Sequence, residues 1–386
     1  MENNNSHKMI GIFNDSYPPI IDGVAMTAQN YAEGLYRRQI PVCVVTPKAP
    51  DYQIVEPYPV FRYSSLPLIR RKPYRIGLPD IDLAFQDTLE RIPFGLVHAH
   101  CPFTSGHLAL RIAREQKIPL VATFHSKYRD DFEQAVGSRK VADLMVREIM
   151  HFYEKADEVW IPQAAVEETI REYGFRGEVI VMENGSDMKP VKDPSEFKIR
   201  ARRSLHIPAD EMVLLFVGQH IREKNPFMIL DALATLKDRM KFRMFFIGTG
   251  YAADELKMYA DTLGLTPFVH FCGVIYDRQK LQQYYAAAHL FLFPSIYDNA
   301  PLVVREAAAM HTPPVLLKGS TASEIITHNE NGFLSENSVQ DFADTIISAL
   351  ADQNLLNAVA EKASRTVSVS WDTIVDKVYE RYCAIM

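Results

Sequence analysis

The sequence predicts an α/β protein built from two doubly wound, Rossmann-like domains. Short apolar runs, typical of strands buried on both faces of a parallel sheet, alternate with helical patterns through both halves of the chain. A polar stretch with two prolines, residues 189–194, separates the two series. A chain of 386 residues also has the length for two domains of about 100–200 residues each.

The predicted elements follow the chain in order. Strands of the first half are predicted at residues 9–13, 42–46, 96–100, 120–124, 158–161 and 179–182, with a helix at 24–38. Strands of the second half are predicted at 212–217, 243–247, 269–272, 289–293 and 314–317, with helices at 226–238, 251–263 and 278–288. The expected domains are 1–188 and 189–368, and a last segment, 369–386, is expected to cross back to the first domain. Ligands of such sheets bind beyond the carboxyl ends of the strands, so the two domains are expected to face a cleft.

Composition and charge limit the classes of partner. The formal net charge of −6 produces no overall attraction to nucleic acid, which is therefore not an expected partner. The N-terminus lacks the apolar core of a signal peptide, and the longest apolar run, 212–217, is far shorter than the ~20 residues that span a bilayer. We therefore expect a cytoplasmic protein, with peripheral contact at the inner membrane face as an open alternative.

The segment 294–310 carries the chemistry that stands out most. Asp298 lies just before a predicted helix from Pro301 to Met310, which is apolar almost all round and is interrupted by Arg305 and Glu306. The free amides of the helix N-terminus could bind a phosphate, and the two carboxylates could bind sugar hydroxyls. Alternatively, Asp298 caps the helix and Glu306 pairs with a core arginine, since a buried carboxylate needs a partner. The pattern does not decide between the two.

Two further loops follow predicted strands. In the second half, Gly218 allows close backbone approach, and Lys224 and Arg222 precede the helix at 226 and are candidate phosphate ligands. In the first half, Gly23 stands at the start of the first helix, where the backbone could approach a diphosphate, although the G-x-G-x-x-G pattern is absent. A solvated loop charge is the alternative for each cation.

Histidines cluster after the strands of the first half. His125 is predicted to lie at a strand end, where its ring could donate a hydrogen bond to a sugar hydroxyl or a leaving phosphate. His98 is interpreted as structural, and His100 is left open between the two roles. We place His100 and Lys127 on the acceptor side. No metal site is predicted: no fourth zinc ligand is evident, and Asp80-Ile-Asp82 is interpreted as surface acid near a helix start.

Over nearly its whole length the chain resembles the retaining glycosyltransferases of the GT4 type, also called glycosyltransferase group 1. The family's glutamate-x7-glutamate motif is matched by Asp298 and Glu306, with the first glutamate shortened. The resemblance implies the two-domain GT-B fold, Asp298 at the hydroxyls of the donor sugar, and Glu306 at the ribose. It also implies that a run of backbone lies near sugar and phosphate: Asn299, Ala300, Pro301 and Leu302.

Other positions match the family one by one. Lys224 fits the diphosphate-binding lysine, but Gln219 stands where the family has an arginine, and Arg222 is the candidate to compensate. Asp22-Gly23-Val24 resembles the N-terminal glycine loop, and His125 matches a histidine beside the donor sugar. Val274 stands where the family holds the nucleobase by backbone, and residues 371–382 resemble the returning C-terminal helix.

The resemblance implies transfer of a hexose from a UDP- or GDP-sugar to a lipid or glycan acceptor, with retention and formation of an α-linkage. It implies no metal cofactor, since the protein's cations and helix N-termini would stabilise the diphosphate. The basic segment 66–75, which begins with Leu66 and ends with Arg75, could touch a membrane surface, or it is a solvated loop. A sugar-nucleotide 2-epimerase of the same architecture, and a sugar-nucleotide-binding protein without turnover, are the alternatives; Gln219 keeps the second one open.

Overall fold

The computed structural model describes residues 8–50, 55–68, 73–189 and 191–386. The chain divides into two compact units. The first unit comprises Met1–Asn184 and Trp371–Met386, and the second comprises Gly185–Ser370.

The first unit is built on a seven-stranded parallel sheet. Its strands are β1 (Met9–Phe13), β2 (Val42–Pro47), β3 (Val60–Tyr63), β6 (Phe94–Ala99), β7 (Leu120–Thr123), β8 (Glu158–Ile161) and β9 (Ile180–Val181). A short antiparallel hairpin is formed by β4 (Ser65–Pro67) and β5 (Arg75–Gly77). The helices are α1 (Gly23–Arg37), α2 (Leu83–Glu90), α3 (Thr104–Gln116), α4 (Tyr128–Val136), α5 (Arg139–Tyr153), α6 (Val166–Glu172) and, at the C-terminus, α14 (Trp371–Ile385).

The second unit repeats this architecture with a six-stranded parallel sheet. Its strands are β10 (Met212–Val217), β11 (Phe242–Ile247), β12 (Val269–Gly273), β13 (Leu290–Phe293), β14 (Pro314–Leu317) and β15 (Phe333–Ser335). Its helices are α7 (Pro194–Ser204), α8 (Pro226–Leu236), α9 (Ala253–Thr262), α10 (Arg278–Ala287), α11 (Leu302–Ala309), α12 (Val339–Ala351) and α13 (Gln353–Thr366). Three 3-10 turns, Pro79–Ile81, Arg222–Lys224 and Thr321–Ile325, complete the regular structure of the described residues.

The strand order places the functional loops. The first sheet runs β3-β2-β1-β6-β7-β8-β9, and the second runs β12-β11-β10-β13-β14-β15. In each sheet the order reverses beside the first strand, between β1 and β6 and between β10 and β13. Loops leave such a reversal point in opposite directions and open a crevice at the carboxyl ends of the strands, which is where ligands of open α/β sheets bind. The prediction of two doubly wound α/β domains is confirmed for each unit.

Helix α14 packs within the first unit. A methyl group of Val375 lies so close to Gly34 of α1 that a Cβ on this glycine would approach it to 2.6 Å. Arg37 and Arg38 at the end of α1 pair with Asp372 and Asp376 at 2.9 and 2.7 Å. The last segment was predicted to begin at 369 and the second domain at 189, whereas the units divide after 370 and after 184, because residues 185–188 pack with the second unit.

Candidate functional site

The loop between β13 and α11 is held by the hydroxyl of Ser295. This hydroxyl donates to Asp298 Oδ2 at 2.7 Å and accepts from the amides of Tyr297 and Asp298 at 3.2 and 3.3 Å. In the described residues α11 has no side-chain cap, and Pro301 occupies the N-cap position. The interpretation of Asp298 as a helix cap is therefore wrong. Its carboxylate is directed elsewhere.

Asp298 pairs with Lys224, which comes from the loop after β10. Lys224 Nζ lies 2.5 Å from Asp298 Oδ1 and 5.3 Å from the ring centroid of Phe293. Only 12% of the lysine side chain and 17% of the aspartate side chain are exposed. Two loops that the sequence treats separately thus meet where the strand order reverses, and they bring a cation and a carboxylate together.

Glu306 lies in α11 and is buried, with both oxygens engaged. Oε1 accepts from Arg278 at 2.6 Å, and Oε2 accepts from the hydroxyl of Tyr285 at 2.7 Å. Arg278 also donates from Nε to Asp187 Oδ2 at 2.9 Å. The alternative of an arginine partner is therefore confirmed, although the arginine stands at the start of α10. A carboxylate has about four acceptor positions, so the two bonds leave capacity for the hydroxyls of a diol.

The electrostatics of this network keep Arg278 charged and Tyr285 neutral. Burial lowers the pKa of Arg278, but the Glu306 and Asp187 carboxylates outweigh that effect and raise the pKa above its usual value. Burial, together with the Glu306 charge, raises the pKa of Tyr285 well above its usual value. Glu306 is thus held between a permanent cation and a neutral donor, which fixes the orientation of its carboxylate.

The loops after β10 and β11 pack backbone against backbone. Gly218 and Gly248 have φ of +153° and +133°, which side chains rarely adopt. A Cβ on Gly248 would lie 2.0 Å from the carbonyl oxygen of Gly218, and a Cβ on Gly250 would lie 2.4 Å from that of His220. The amide of His220 donates to the carbonyl of Thr249 at 2.9 Å. The path of the lysine loop therefore depends on glycines in the neighbouring loop.

Three other residues of the second unit were predicted to bind the sugar donor, and the structure places one of them in an ion pair and two in exposed positions. Arg222 pairs with Glu255 of α9, and its guanidinium carbon lies 4.8 Å from the ring centroid of Phe227. Gln219 is exposed beside Gly218. Val274 is 40% exposed, directly after Gly273 with its φ of +67°. Compensation of Gln219 by Arg222 stays a prediction, and it requires the guanidinium to leave Glu255.

The predicted histidines of the first unit form one cluster. His100 Nδ1 lies 3.1 Å from His125 Nε2. His98 lies between the hydroxyls of Tyr382 and Thr123, at 2.5 and 2.7 Å from its two ring nitrogens. These bonds confirm a structural role for His98.

Two predicted residues of the first unit stand at helix starts. Gly23 begins α1, where Asp22 caps the amides of Val24 and Ala25 at 2.9 and 2.8 Å. A Cβ on Gly23 would meet no described atom within 4 Å, so the backbone there is open to approach. Lys127 occupies the N-cap position of α4.

The two aspartates of the Asp80-Ile-Asp82 segment, which were predicted not to bind metal, have structural roles. Asp82 caps α2 by accepting from the amide of Phe85 at 3.2 Å, and Asp80 pairs with Arg111 at 2.9 Å. Within the part of the chain that the structure describes, no group of three or more His, Cys, Asp or Glu side chains could hold a metal ion. Among the described residues, each helix is too short or too polar to span a lipid bilayer.

Comparison with known families accounts for both units. The family model described as Glycosyltransferase Family 4 matches residues 21–189, and the model described as Glycosyl transferases group 1 matches residues 197–366. The chain belongs to glycosyltransferase family 4. The resemblance to this family is thereby confirmed.

Relatives of this family 4 glycosyltransferase match along most of its length. It is 27% identical over 382 residues to the alpha-monoglucosyldiacylglycerol synthase of Streptococcus pneumoniae, a match that covers 96% of this chain and 82% of the synthase. Its fold is similar to that of a sucrose-phosphate synthase from Thermosynechococcus elongatus, with a TM-score of 0.81, 20% identity and 98% of each chain covered. It is also similar to Anabaena HepE in complex with UDP and glucose, with a TM-score of 0.77, 19% identity, and 98% and 100% of the two chains covered. The GT-B fold is thus confirmed.

Sequence reasoning missed four residues that shape the site of this glycosyltransferase. Arg278 and Tyr285 hold Glu306, and Gly248 and Gly250 shape the lysine loop. The glycines had a usable signal, because Gly-Thr-Gly follows directly after an apolar run. The two helical residues had none, since an arginine and a tyrosine in a polar helix are usually surface residues.

Proposed function

We propose that this glycosyltransferase moves a hexose from a UDP- or GDP-sugar to a lipid or glycan acceptor, with retention at the sugar carbon. The pairing of Lys224 with Asp298 carries the proposal, because a cation for phosphate and a carboxylate for hydroxyls stand within one hydrogen bond of each other. The similarity to an alpha-monoglucosyldiacylglycerol synthase favours glucose as the sugar and a diacylglycerol-type lipid as the acceptor.

Each residue then has a role of its own. Lys224 binds the diphosphate, Asp298 accepts hydrogen bonds from sugar hydroxyls, and Glu306 accepts them from the ribose. The backbone at the start of α11 is directed at sugar and phosphate: Asn299, Ala300, Pro301 and Leu302. His125 donates to the sugar or the leaving phosphate, while His100 and Lys127 lie on the acceptor side. Gly23, Gly218 and Val274 bring backbone close to the donor.

In the proposed reaction the bond between the anomeric carbon and the diphosphate breaks, and the acceptor oxygen forms its bond on the same face. The acceptor proton passes to the departing diphosphate oxygen, so the products are a nucleoside diphosphate and an α-glycoside. The protein contributes position and charge: Lys224 and helix N-termini stabilise the negative charge that develops on the leaving group. In this scheme no metal is required.

The first experiment is a thermal-shift screen of UDP- and GDP-sugars on the wild type and on Lys224→Ala, Glu306→Ala and Asp80→Ala. A donor at about 100 times its dissociation constant stabilises the wild type by roughly 2.7 kcal/mol. We expect Asp80→Ala to keep that shift, since Asp80 is an exposed side chain that pairs with Arg111 and has no role in the proposed site, and the other two variants to lose it.

A transfer assay with the best donor and diacylglycerol, with and without EDTA, then tests the chemistry. Formation of an α-glycoside at the same rate with and without EDTA supports the proposal. An epimerised sugar nucleotide formed without acceptor indicates the 2-epimerase instead, and donor binding without any turnover indicates a binding protein. Absence of any thermal shift removes the basis for assigning Lys224, Asp298 and Glu306 to a donor.

A further inference from the structure

His100 and His125 share one hydrogen bond inside the first unit. His100 follows β6 and is buried, and His125 follows β7 and is half-buried. Their ring planes are nearly parallel, inclined by 19° with centroids 5.4 Å apart, so the two rings meet edge to edge along the bond. His98 stacks on His100, with centroids 4.2 Å apart. The bond joins Nδ1 of His100 to Nε2 of His125.

All three rings are uncharged at neutral pH. Burial lowers the pKa of His125 to about 3, and burial lowers the pKa of His98 and of His100 well below the usual value, with repulsion from neighbouring histidines adding to the effect. A neutral imidazole carries one proton and one lone pair. The short contact between His100 and His125 therefore contains one proton, which belongs to one ring or the other.

The second ring nitrogen of His100, Nε2, indicates which of the two rings holds this proton. His100 Nε2 is buried and has no hydrogen-bond partner among the described residues. If His125 donated the proton, His100 would carry its own proton on Nε2, as a buried N–H group without an acceptor. If His100 donates, Nε2 is left as an unpaired lone pair. Buried N–H groups without partners are rarer than under-satisfied acceptors, so the second arrangement is favoured.

We propose that His100 is a positioning residue, which donates its Nδ1 proton to His125 Nε2 and thereby holds His125 as the tautomer protonated on Nδ1. The proton of His125 is then on Nδ1. The consequence for catalysis rests on the proposed function, in which His125 donates to the sugar or the leaving phosphate, but the tautomer itself does not.

The tautomer can be measured on the free protein by long-range proton–nitrogen NMR of a sample with 15N-labelled histidine. The signals of His125 are identified by their loss in His125→Ala. We expect the His125 proton on Nδ1, with Nε2 unprotonated. A proton found on His125 Nε2 overturns the proposal, whether or not the protein transfers sugar.

Two variants of His100 test the positioning role. The side-chain amide of His100→Asn places a donor where Nδ1 stands, whereas His100→Leu offers none. We expect His100→Leu to lose the tautomer preference and to lower kcat on the order of 10-fold or more with little change in the donor KM, and His100→Asn to restore both. Tyr382→Phe, which removes the bond to His98 alone, is the control for a general loosening of the cluster.

These outcomes separate the two proposals. If the wild type transfers sugar and His100→Leu keeps its full kcat in the folded state, the positioning role is wrong and the proposed function is untouched. If no donor and acceptor react, the proposed function fails, and the NMR measurement still decides the tautomer.

Discussion

Gln219 is a residue at which the proposed phosphate site departs from the family pattern, which has an arginine there. Lys224 already has Asp298 as its partner, so the pair carries little net charge for an incoming diphosphate. Arg222, the other cation of the loop, pairs with Glu255. The proposed site therefore offers a ligand with two or more negative charges only one lysine, which already has a carboxylate partner.

A Gln219→Arg substitution should tighten the binding of nucleoside diphosphates. An added cation near two phosphates is expected to improve affinity about 10-fold, equivalent to roughly 1.4 kcal/mol at low salt. Calorimetric titration with UDP and GDP measures the effect, and Gln219→Met is the uncharged control of similar size. Equal affinity in both variants would show that Gln219 does not face the diphosphate.

For single residues, the sequence indicated which residue types form the candidate site and how they are spaced. It did not indicate which side chains they would contact. The eight-residue separation of Asp298 and Glu306 was visible, and so was the lysine after an apolar strand. The bond from Lys224 to Asp298 depends on β10 and β13 being neighbours in the sheet, and a single sequence does not contain strand order. The arginine held by Glu306 was invisible for a similar reason, because it comes from another helix.

The buried strands were predictable because a strand covered on both faces must be apolar throughout. In the second half, for example, the strands predicted at 212–217, 243–247 and 289–293 are β10, β11 and β13. Each limit lies within one residue of the prediction. Shorter or more exposed elements were not foreseen. Among these are β3 and β15 and the two amphipathic helices α12 and α13, whose patterns were not singled out.

The packing of the loop after β10 against the loop after β11 leads to a prediction on Gly248. Gly248→Ala places a methyl group against the carbonyl of Gly218 and forces a side chain to adopt a φ of +133°, so the free energy of unfolding should fall by about 2–4 kcal/mol. Urea titration measures the loss, and the donor-induced thermal shift should fall with it.

Gly319→Ala is the matched control for this substitution. Gly319 has a positive φ of +77° in the same unit, but a Cβ there would meet no described atom within 4 Å. Only the backbone strain of about 1 kcal/mol is then expected. A cost for Gly248→Ala no greater than that of the control would mean that the two loops can move apart freely.

At the scale of the whole molecule, the return of the chain to its first unit was expected only from the resemblance to the family. The polar interruption at 189–194 was readable from composition, whereas the last segment carried no such pattern; α14 lies in the first unit. Its buried contacts had no local signature. The fit of Val375 against Gly34 joins residues more than 300 positions apart, which only a folded chain brings together.

The net negative charge of the whole molecule opposes its binding to an anionic membrane surface. The chain carries a net charge of −6, so only a local cluster of cations could hold it at an anionic surface. The basic residues of segment 66–75 at 70–72 lie outside the described residues; beside them, Leu66 and Ile76 of the β4–β5 hairpin are 58% and 50% exposed. We propose this segment as the contact for a lipid acceptor.

Replacing Arg70, Arg71 and Lys72 together by glutamine tests the contact. Each cation near an anionic surface contributes about 1 kcal/mol, so binding to vesicles that contain anionic lipid should weaken on the order of 100-fold. Sedimentation with anionic and with zwitterionic vesicles measures the difference. Unchanged binding to anionic vesicles would identify the segment as a solvated loop.

The bond between Lys224 and Asp298 also bears on which anions the site rejects. In the proposed site, a chloride or inorganic phosphate ion that took the place of Asp298 beside Lys224 would leave the carboxylate without its cation. A sugar nucleotide brings phosphate oxygens for one side chain and hydroxyls for the other in a single molecule. If the proposed donor site is correct, the internal contact between Lys224 and Asp298 would favour a ligand that carries both phosphate and hydroxyl groups over a simple anion.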